Sequence, residues 1–179
     1  RQSTGVAFQG EGESILLIGD TKGHLGQSIY LREIDGREEG MPPHVDLTIE
    51  RRNGDCVRSL IEAGDVTACH DLSDGGLLVA VAEMAMASTG ASAIGAEIAD
   101  LSGDVPLHAW AYGEDQARYL VTTTDAAKII AACEAADVPV AELGTTGGAT
   151  LSIAGETIAV AELKEAHESW LPNYMAAAE

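Results

Sequence analysis

The segment HDLSDGGLLVAVAEMA, residues 70–85, places two carboxylates, a hydroxyl and two adjacent glycines in front of an apolar run with helical spacing. Adjacent glycines permit positive φ angles and a close approach of the backbone to a ligand. The helix that follows offers unpaired N–H groups and the positive end of its dipole. Such a turn can hold a phosphate or a metal-bound phosphate. The predicted cradle consists of Asp71, Ser73, Asp74, Gly75 and Gly76.

Within this cradle the amides point toward phosphate oxygens, Ser73 donates its hydroxyl, and Asp71 is the candidate magnesium ligand. The same residues also have a purely structural interpretation. Ser73 or Asp74 can cap the helix, and the two glycines can simply form a tight turn. Spacing alone does not decide between a binding site and a helix cap.

Two further segments carry polar side chains that can meet a ligand. In YGEDQAR, residues 112–118, an acidic and a basic side chain either pair with each other at the surface or reach a ligand. In KGHLGQS, residues 22–28, a flexible loop either contacts phosphate or stays solvated. The candidate ligand contacts in these segments are Lys22, His24, Ser28, Glu114 and Arg118.

The three cysteines are far apart in the sequence and include no CxxC pair. This usage is typical of reduced packing residues rather than of disulfides or a zinc site. His70 directly follows Cys69, but adjacency in sequence does not by itself predict a catalytic dyad. We therefore expect Cys56, Cys69 and Cys133 to be reduced and to serve packing.

The formal net charge is −19, from 29 acidic and 10 basic residues. A phosphate backbone or an anionic membrane would repel such a chain, so neither nucleic acid nor a membrane is an expected partner. No apolar run reaches the ~18 residues of a membrane helix, and residues 1–4 do not open a signal peptide. We expect a soluble, cytoplasmic protein.

The acidic excess leads to a prediction about salt. Few lysines and much Ala, Gly, Thr and Asp indicate a surface suited to a salt-rich cytoplasm, although an ordinary acidic protein is the alternative. Salt screens the repulsion between the acidic side chains, so molar KCl should stabilise the folded state. A gain of ~1 kcal/mol in the free energy of unfolding raises the melting temperature by a few degrees, and we expect a rise well above that. Thermal unfolding in dilute and molar KCl measures this. A flat or falling melting temperature would contradict it.

The elements that must position these residues can be predicted from periodicity and from turn and cap signals. Residues 1–12 are predicted as a tail or linker, and residues 13–179 as one domain. Predicted strands cover 13–20, 66–73, 91–98, 116–123 and 138–143, and a hairpin covers 145–163 with its turn at Ala154 and Gly155. A short helix or turn is predicted to begin near Ser28. Further helices are predicted over 46–63, 77–88 and 126–136, and a last one begins near Ala161 and is broken at Pro172.

Strands and helices interleave without a strict βαβ rhythm, and a hairpin comes late in the chain. This order predicts a mixed sheet with helices packed on it, an α/β or α+β sandwich.

Several motifs, taken in order, resemble one family. They are HLGQSIYL, PPHVDL, ACHDLSDGGLLVAVAEMA and YGEDQAR, followed by LGTTGGATLSI and a closing WLP. Together they resemble the C-terminal part of the phosphoribosylformylglycinamidine synthase family, within the wider aminoimidazole ribonucleotide synthetase superfamily. The resemblance covers about residues 12–176. Two positions depart from the pattern: Gln27 stands where a second glycine is usual, and Asp115 where serine is usual.

The resemblance implies a three-layer α/β/α sandwich and an ATP- and Mg²⁺-dependent amidation in purine biosynthesis. Formylglycinamide ribonucleotide would be activated by phosphorylation, and ammonia from a glutaminase subunit would displace phosphate to give the amidine. The implied partners are the remaining domains of the synthetase subunit, that glutaminase and a small accessory subunit. Because only the last domain is represented, the isolated chain is expected to be inactive.

Two alternatives to this function stay open. Within the superfamily, the chain could be a thiamine-monophosphate kinase, a hydrogenase maturation factor or a selenophosphate synthetase. In a different class, it could be a non-catalytic assembly domain that contributes only an interface.

Overall fold

The computed structural model describes residues 3–88 and 93–176, which form one mixed sheet with helices on both faces. The strands are β1 Ser14–Ile18, β2 Ala68–Asp71, β3 Ala96–Ile98, β4 Tyr119–Thr123, β5 Val140–Thr146, β6 Thr150–Ile153 and β7 Glu156–Ala159. The helices are α1 Ile29–Glu33, α2 Leu47–Ala63, α3 Gly76–Met86, α4 Leu107–Tyr112, α5 Ala126–Ala135 and α6 Val160–Ala176.

The sheet order is β2-β4-β1-β5-β3-β6-β7. Its pairs are antiparallel except for β3 and β6, which run parallel. One apolar core lies between the sheet and α3, α4 and the start of α6, and a second lies between the sheet and α2 and α5. The predicted mixed sheet and three-layer sandwich are therefore confirmed.

Strand β1 lies at the centre of the sheet between β4 and β5. Its side chains alternate between the two cores, with Ile15 and Leu17 in the first and Leu16 and Ile18 in the second. All four are buried, as expected of a strand covered on both faces. Strand β1 thus holds the two helical layers together.

Helix α2 shows how local signals set its ends. The Asp46 carboxylate accepts bonds from the Thr48 and Ile49 amides, which lowers its pKa, and Gly64 ends the helix in the left-handed conformation. The predicted bounds are confirmed. Leu47 is exposed because it begins the helix before the helix reaches the core, which it contacts through Cys56, Val57 and Leu60.

The N-terminal residues 3–12 pack on the domain rather than extend from it. Phe8 is buried, and its N–H donates to the Met84 carbonyl at 3.2 Å. Gly5 forms an isolated parallel bridge with Ala68 at the sheet edge. The prediction of a tail did not anticipate these contacts, and the domain boundary at residue 12 stays a prediction.

Three predicted elements differ from the observed ones. Helix α4 lies between the predicted strands 91–98 and 116–123, where no helix is predicted, and its Trp110 is buried in the first core. Helix α6 continues through Pro172 instead of breaking there. Residues 168–176 of that helix are mostly exposed, so water can replace the backbone bond that proline removes. The predicted strand 91–98 is observed only from Ala96, and its residues 91–92 lie outside the described part.

In the described part of the chain, no helix is both long and apolar enough to span a membrane.

Candidate functional site

The turn after β2 has the backbone that its glycines predict. Gly75 has φ +78° and Gly76 has φ +68°, values that residues other than glycine rarely adopt. A Cβ on Gly76 would lie 2.5 Å from the Gly113 carbonyl oxygen, so this position also needs a residue without a side chain. Gly75 itself is the N-cap of α3, which has no side-chain capping bond in the structure. The predicted cap by Ser73 or Asp74 is therefore wrong, and the tight turn is confirmed.

Both glycine amides donate within the chain. The Gly75 N–H donates to Glu114 Oε1 at 2.8 Å, and the Gly76 N–H donates to the Ser73 carbonyl at 3.1 Å. In this conformation neither amide is free to bind a phosphate. The predicted cradle is corrected to this extent: a carboxylate 39 residues away in sequence occupies the Gly75 amide, and the Ser73 carbonyl occupies the Gly76 amide.

Glu114 joins two helix N-termini through one oxygen. Oε1 also accepts the Ile29 N–H at 2.8 Å, at the start of α1. A negative group is favourable at both positions because each helix dipole is positive at this end. Ser28, buried beside it, accepts the Leu31 N–H and caps α1. Glu114 and Ser28, both predicted as ligand contacts, therefore hold the loops that surround the site.

Arg118 is only 1% exposed. It donates to the Gly113 carbonyl at 2.5 Å, to the Asp115 carbonyl at 3.0 Å and to Thr21 Oγ1 at 3.1 Å. Burial lowers its pKa, while the carboxylates of Asp115 and Glu114 act in the opposite direction. Among the ion pairs of the described residues there is none between Glu114 and Arg118, so the predicted surface pair is wrong.

The two positions that depart from the family pattern both shape the loop over residues 22–28. Asp115 Oδ2 accepts the Lys22 and Gly23 amides at 2.9 and 2.8 Å, which fixes the beginning of the loop. Gln27 has φ +60°, the left-handed conformation that glycine adopts at lowest cost. Its side chain donates to the Gly40 carbonyl at 3.1 Å. The loop predicted as flexible is thus held by contacts from two sides.

The carboxylate and hydroxyl of the motif remain open to solvent. The side chain of Asp71 is 75% exposed, and Ser73 and Asp74 are exposed as well. A cleft of about 170 Å³ adjoins them. Burial, together with the nearby carboxylates of Glu50 and Asp71, raises the pKa of Tyr119. The cleft is lined by Glu50, Asp71, Leu72, Ser73, Gln116, Ala117, Arg118 and Tyr119.

A magnesium ion needs about six oxygen ligands. Over residues 3–88 and 93–176, no group of three acidic, histidine or cysteine side chains is arranged to hold a metal ion. Asp71 can therefore supply one carboxylate to a metal-phosphate group, with Ser73 as a neighbouring hydroxyl. The remaining ligands would have to come from the phosphates, water or another domain.

A second cleft of about 460 Å³ adjoins the first, because Gln116 and Ala117 line both. It contains the predicted contacts Lys22 and His24, and His24 Nε2 lies 2.8 Å from the Met41 carbonyl. Sequence analysis missed the other basic members of this cleft. These members are His44 and Arg52. No local sequence pattern indicates them, because they lie in segments far along the chain from Lys22 and His24.

Cys69 and His70 do not form a dyad. Successive side chains of a strand point to opposite faces, and Cys69 packs against the second core. Burial raises the pKa of its thiol to about 11. His70 Nε2 instead lies 2.8 Å from Glu83 Oε2 on α3. Cys56 and Cys133 are buried free thiols whose sulfur atoms lie 3.8 Å apart in the second core. That all three cysteines are reduced stays a prediction.

Comparison with known proteins finds one family along most of the chain. The family described as "AIR synthase related protein, C-terminal domain" matches residues 10–155. The phosphoribosylformylglycinamidine synthase subunit PurL of Bradyrhizobium sp. (strain BTAi1) is 56% identical over 180 residues, covering 99% of this chain and 24% of the relative. The same subunit of Parvibaculum lavamentivorans is 58% identical over 177 residues, covering 96% of this chain and 23% of the relative.

Solved structures show the same fold. Thermotoga maritima PurL complexed with ATP superposes with a TM-score of 0.68 at 16% identity, covering 91% of this chain and 27% of that one. The structure of PurLQS from Thermotoga maritima gives a TM-score of 0.66 at 15% identity, covering 90% and 27%. The chain spans about a quarter of the length of the relatives that it matches.

Proposed function

The chain belongs to the family of AIR synthase related proteins, C-terminal domain, and from this premise we propose that it is the C-terminal domain of a phosphoribosylformylglycinamidine synthase. The observation that carries the proposal is the 56% identity to a PurL subunit over 99% of the chain. The complete subunit would convert formylglycinamide ribonucleotide to the amidine in an ATP-dependent C–N ligation. The proposal places it in the cytoplasm.

In this proposal the domain contributes one wall of a nucleotide site. The ATP complex of a structural neighbour supports nucleotide binding by the whole subunit. Asp71 would bind Mg²⁺ and Ser73 would donate to a phosphate oxygen, since both side chains are open to solvent. Bound Mg-ATP would supply the phosphoryl group that activates the amide oxygen. Glu114 and Arg118 would hold the surrounding loops in place.

The partners would be the other domains of the subunit, a glutaminase subunit that supplies ammonia, and a small accessory subunit. The Thermotoga maritima PurLQS structure supports such an assembly. Asp74, Lys22 and His24 are proposed as further ligand contacts, because they are placed at or beside the two adjoining clefts. Among the described residues of this domain, no three acidic, histidine or cysteine side chains are placed to hold a metal ion together. A site that faces another domain of the subunit would obtain further metal ligands from that domain.

We expect Asp71→Asn and Ser73→Ala, made in the complete subunit, each to weaken nucleotide binding about tenfold to a hundredfold. The physical reason is the loss of a charge-assisted contact of roughly 1.5–3 kcal/mol. Nucleotide titration and ammonia-dependent turnover measure the effect. Asp104→Asn is the matched control, because it removes one exposed carboxylate outside both clefts.

The outcomes separate three interpretations. Weaker binding with loss of turnover would place Asp71 and Ser73 at the catalytic site, and weaker binding with normal turnover would place them at a second nucleotide site. Variants that bind and turn over like the parent would show that the motif is only a turn. Product formation by the 179-residue chain alone, with ATP and ammonia, would contradict the proposed division of the site between domains.

A further inference from the structure

Helix α6 is almost uncovered by the rest of the domain. Of its 17 described residues only Val160 is buried. Helix α2 has the same length and buries four residues, including Cys56, Val57 and Leu60. Helices in proteins obtain most of their stability from packing an apolar face, and an isolated helix of this length is marginal in water. The last three turns of α6 therefore lack the packing that such a helix needs.

The uncovered part of α6 is apolar. Trp170, Leu171, Tyr174 and Met175 are between 58% and 65% exposed. They recur at spacings of one and four residues, so they form one stripe along the helix. The rings of Trp170 and Tyr174 stack with centroids 5.4 Å apart. Large apolar side chains exposed as a contiguous patch are typical of an interaction surface.

An apolar groove of about 770 Å³ continues this stripe into the domain. Its walls are α3, the β6–β7 hairpin and α6, and it is lined by residues that include Leu78, Met86, Ile153, Leu163 and Trp170. Ile158 on the outer strand β7 is also partly exposed beside it. The stripe and the groove together form one surface, which we call the α6 face.

We propose that the α6 face docks against another domain of the same subunit. This inference rests on the proposed function, because it assumes that the chain is part of a subunit as long as its PurL relatives. The chain covers only 24% of such a relative, so most of that subunit lies outside the matched part. An apolar surface held against a neighbouring domain in the same chain needs no separate association, because the linkage supplies a high effective concentration.

The rim of the α6 face indicates the chemistry of the docking surface. Glu83 and Glu156 line the groove together with His167, and Glu165 and Glu168 are exposed on α6. Lys164 lies 3.7 Å from Glu168, so the carboxylates of the rim outnumber its one lysine. A complementary surface would be apolar at its centre and carry lysine or arginine at its rim. An equally acidic rim, as on a second copy of this chain with its net charge of −19, would be repelled.

The test is amide hydrogen exchange of residues 166–176 in the complete subunit. Docking predicts that these amides exchange at least tenfold more slowly than unprotected amides. Trp170→Lys should remove that protection and lower the melting temperature, whereas Trp170→Phe should keep most of it. Ile34→Lys is the matched control: Ile34 is 68% exposed, away from this face, and the change adds the same charge.

Several results would overturn the proposal. Unprotected exchange of these residues in the parent subunit would show that nothing covers the α6 face. Protection that appears only with a doubling of mass would identify a second copy, and protection that appears only on adding the glutaminase subunit would identify a separate protein. Because exchange requires no catalysis, a protected α6 face in a subunit that forms no amidine would refute the proposed function and leave the docking intact.

Discussion

Replacing Arg118 by methionine is expected to lower the free energy of unfolding by about 3–5 kcal/mol. Methionine keeps much of the volume but donates no hydrogen bonds. The carbonyls of Gly113 and Asp115, both in buried residues, would lose their donor, as would Thr21 Oγ1. Unpaired buried polar groups cost about 1–3 kcal/mol each, so the sum exceeds the favourable burial of an apolar side chain.

Urea denaturation of the parent and the variant measures this effect through the shift in midpoint at constant slope. Arg118→Lys should give a smaller loss, because lysine keeps the charge and some donors but lacks the planar fork. Arg32→Met is the control: Arg32 is half exposed and pairs with the exposed Glu33, so its loss should stay within about 0.5 kcal/mol. A loss below about 1 kcal/mol for Arg118→Met would show that water replaces the missing donors.

Glu114→Ala is expected to cost about 2–4 kcal/mol, because the Ile29 and Gly75 amides both lose their acceptor. Glu114→Gln is the matched variant. A glutamine keeps an oxygen in the same place and loses only the charge, so it should cost about 1 kcal/mol. The comparison separates the hydrogen bonds from the interaction of the carboxylate with the two helix dipoles.

Denaturant unfolding measures the stability change, and amide exchange at Ile29 and Gly75 localises it. Both amides should exchange faster in Glu114→Ala than in Glu114→Gln. Equal stability of the two variants would mean that the bonds to Oε1 add nothing beyond the charge, and the account of Glu114 as a link between α1 and α3 would fail.

The parts of the fold that could be predicted depend on neighbouring residues. Asp46 and Ser28 cap helices whose first amides lie two or three residues away. The β6–β7 hairpin follows from Ala154 and Gly155, which have φ +50° and +84° at the predicted turn. Gly75 and Gly76 predict the positive φ angles that the structure shows. In each case the physical cause lies within one turn of chain, where sequence patterns are informative.

The missed features depend on contacts between distant segments. The spacing of residues 70–85 gives no sign that Glu114 occupies the Gly75 amide. Arg118 has the composition of a surface residue, and only the folding of residues 21, 113 and 115 around it produces its burial. The basic side chains of His44 and Arg52 join the larger cleft for the same reason. The resemblance identifies the family, but it does not show which polar groups of the motif remain free.

Strand β1 also determines when the sheet can close during synthesis. Its Leu16 pairs with Val121 of β4 and with Glu142 of β5, so both partners are made long after it. At ~5–20 residues per second, a ribosome delivers β4 roughly 5 to 20 s after β1. Through that interval the apolar residues 15–18 have no strand to pair with, and pairing across so many residues is slow. A nascent chain therefore exposes its central strand to chaperones and to other nascent chains until β4 and β5 arrive.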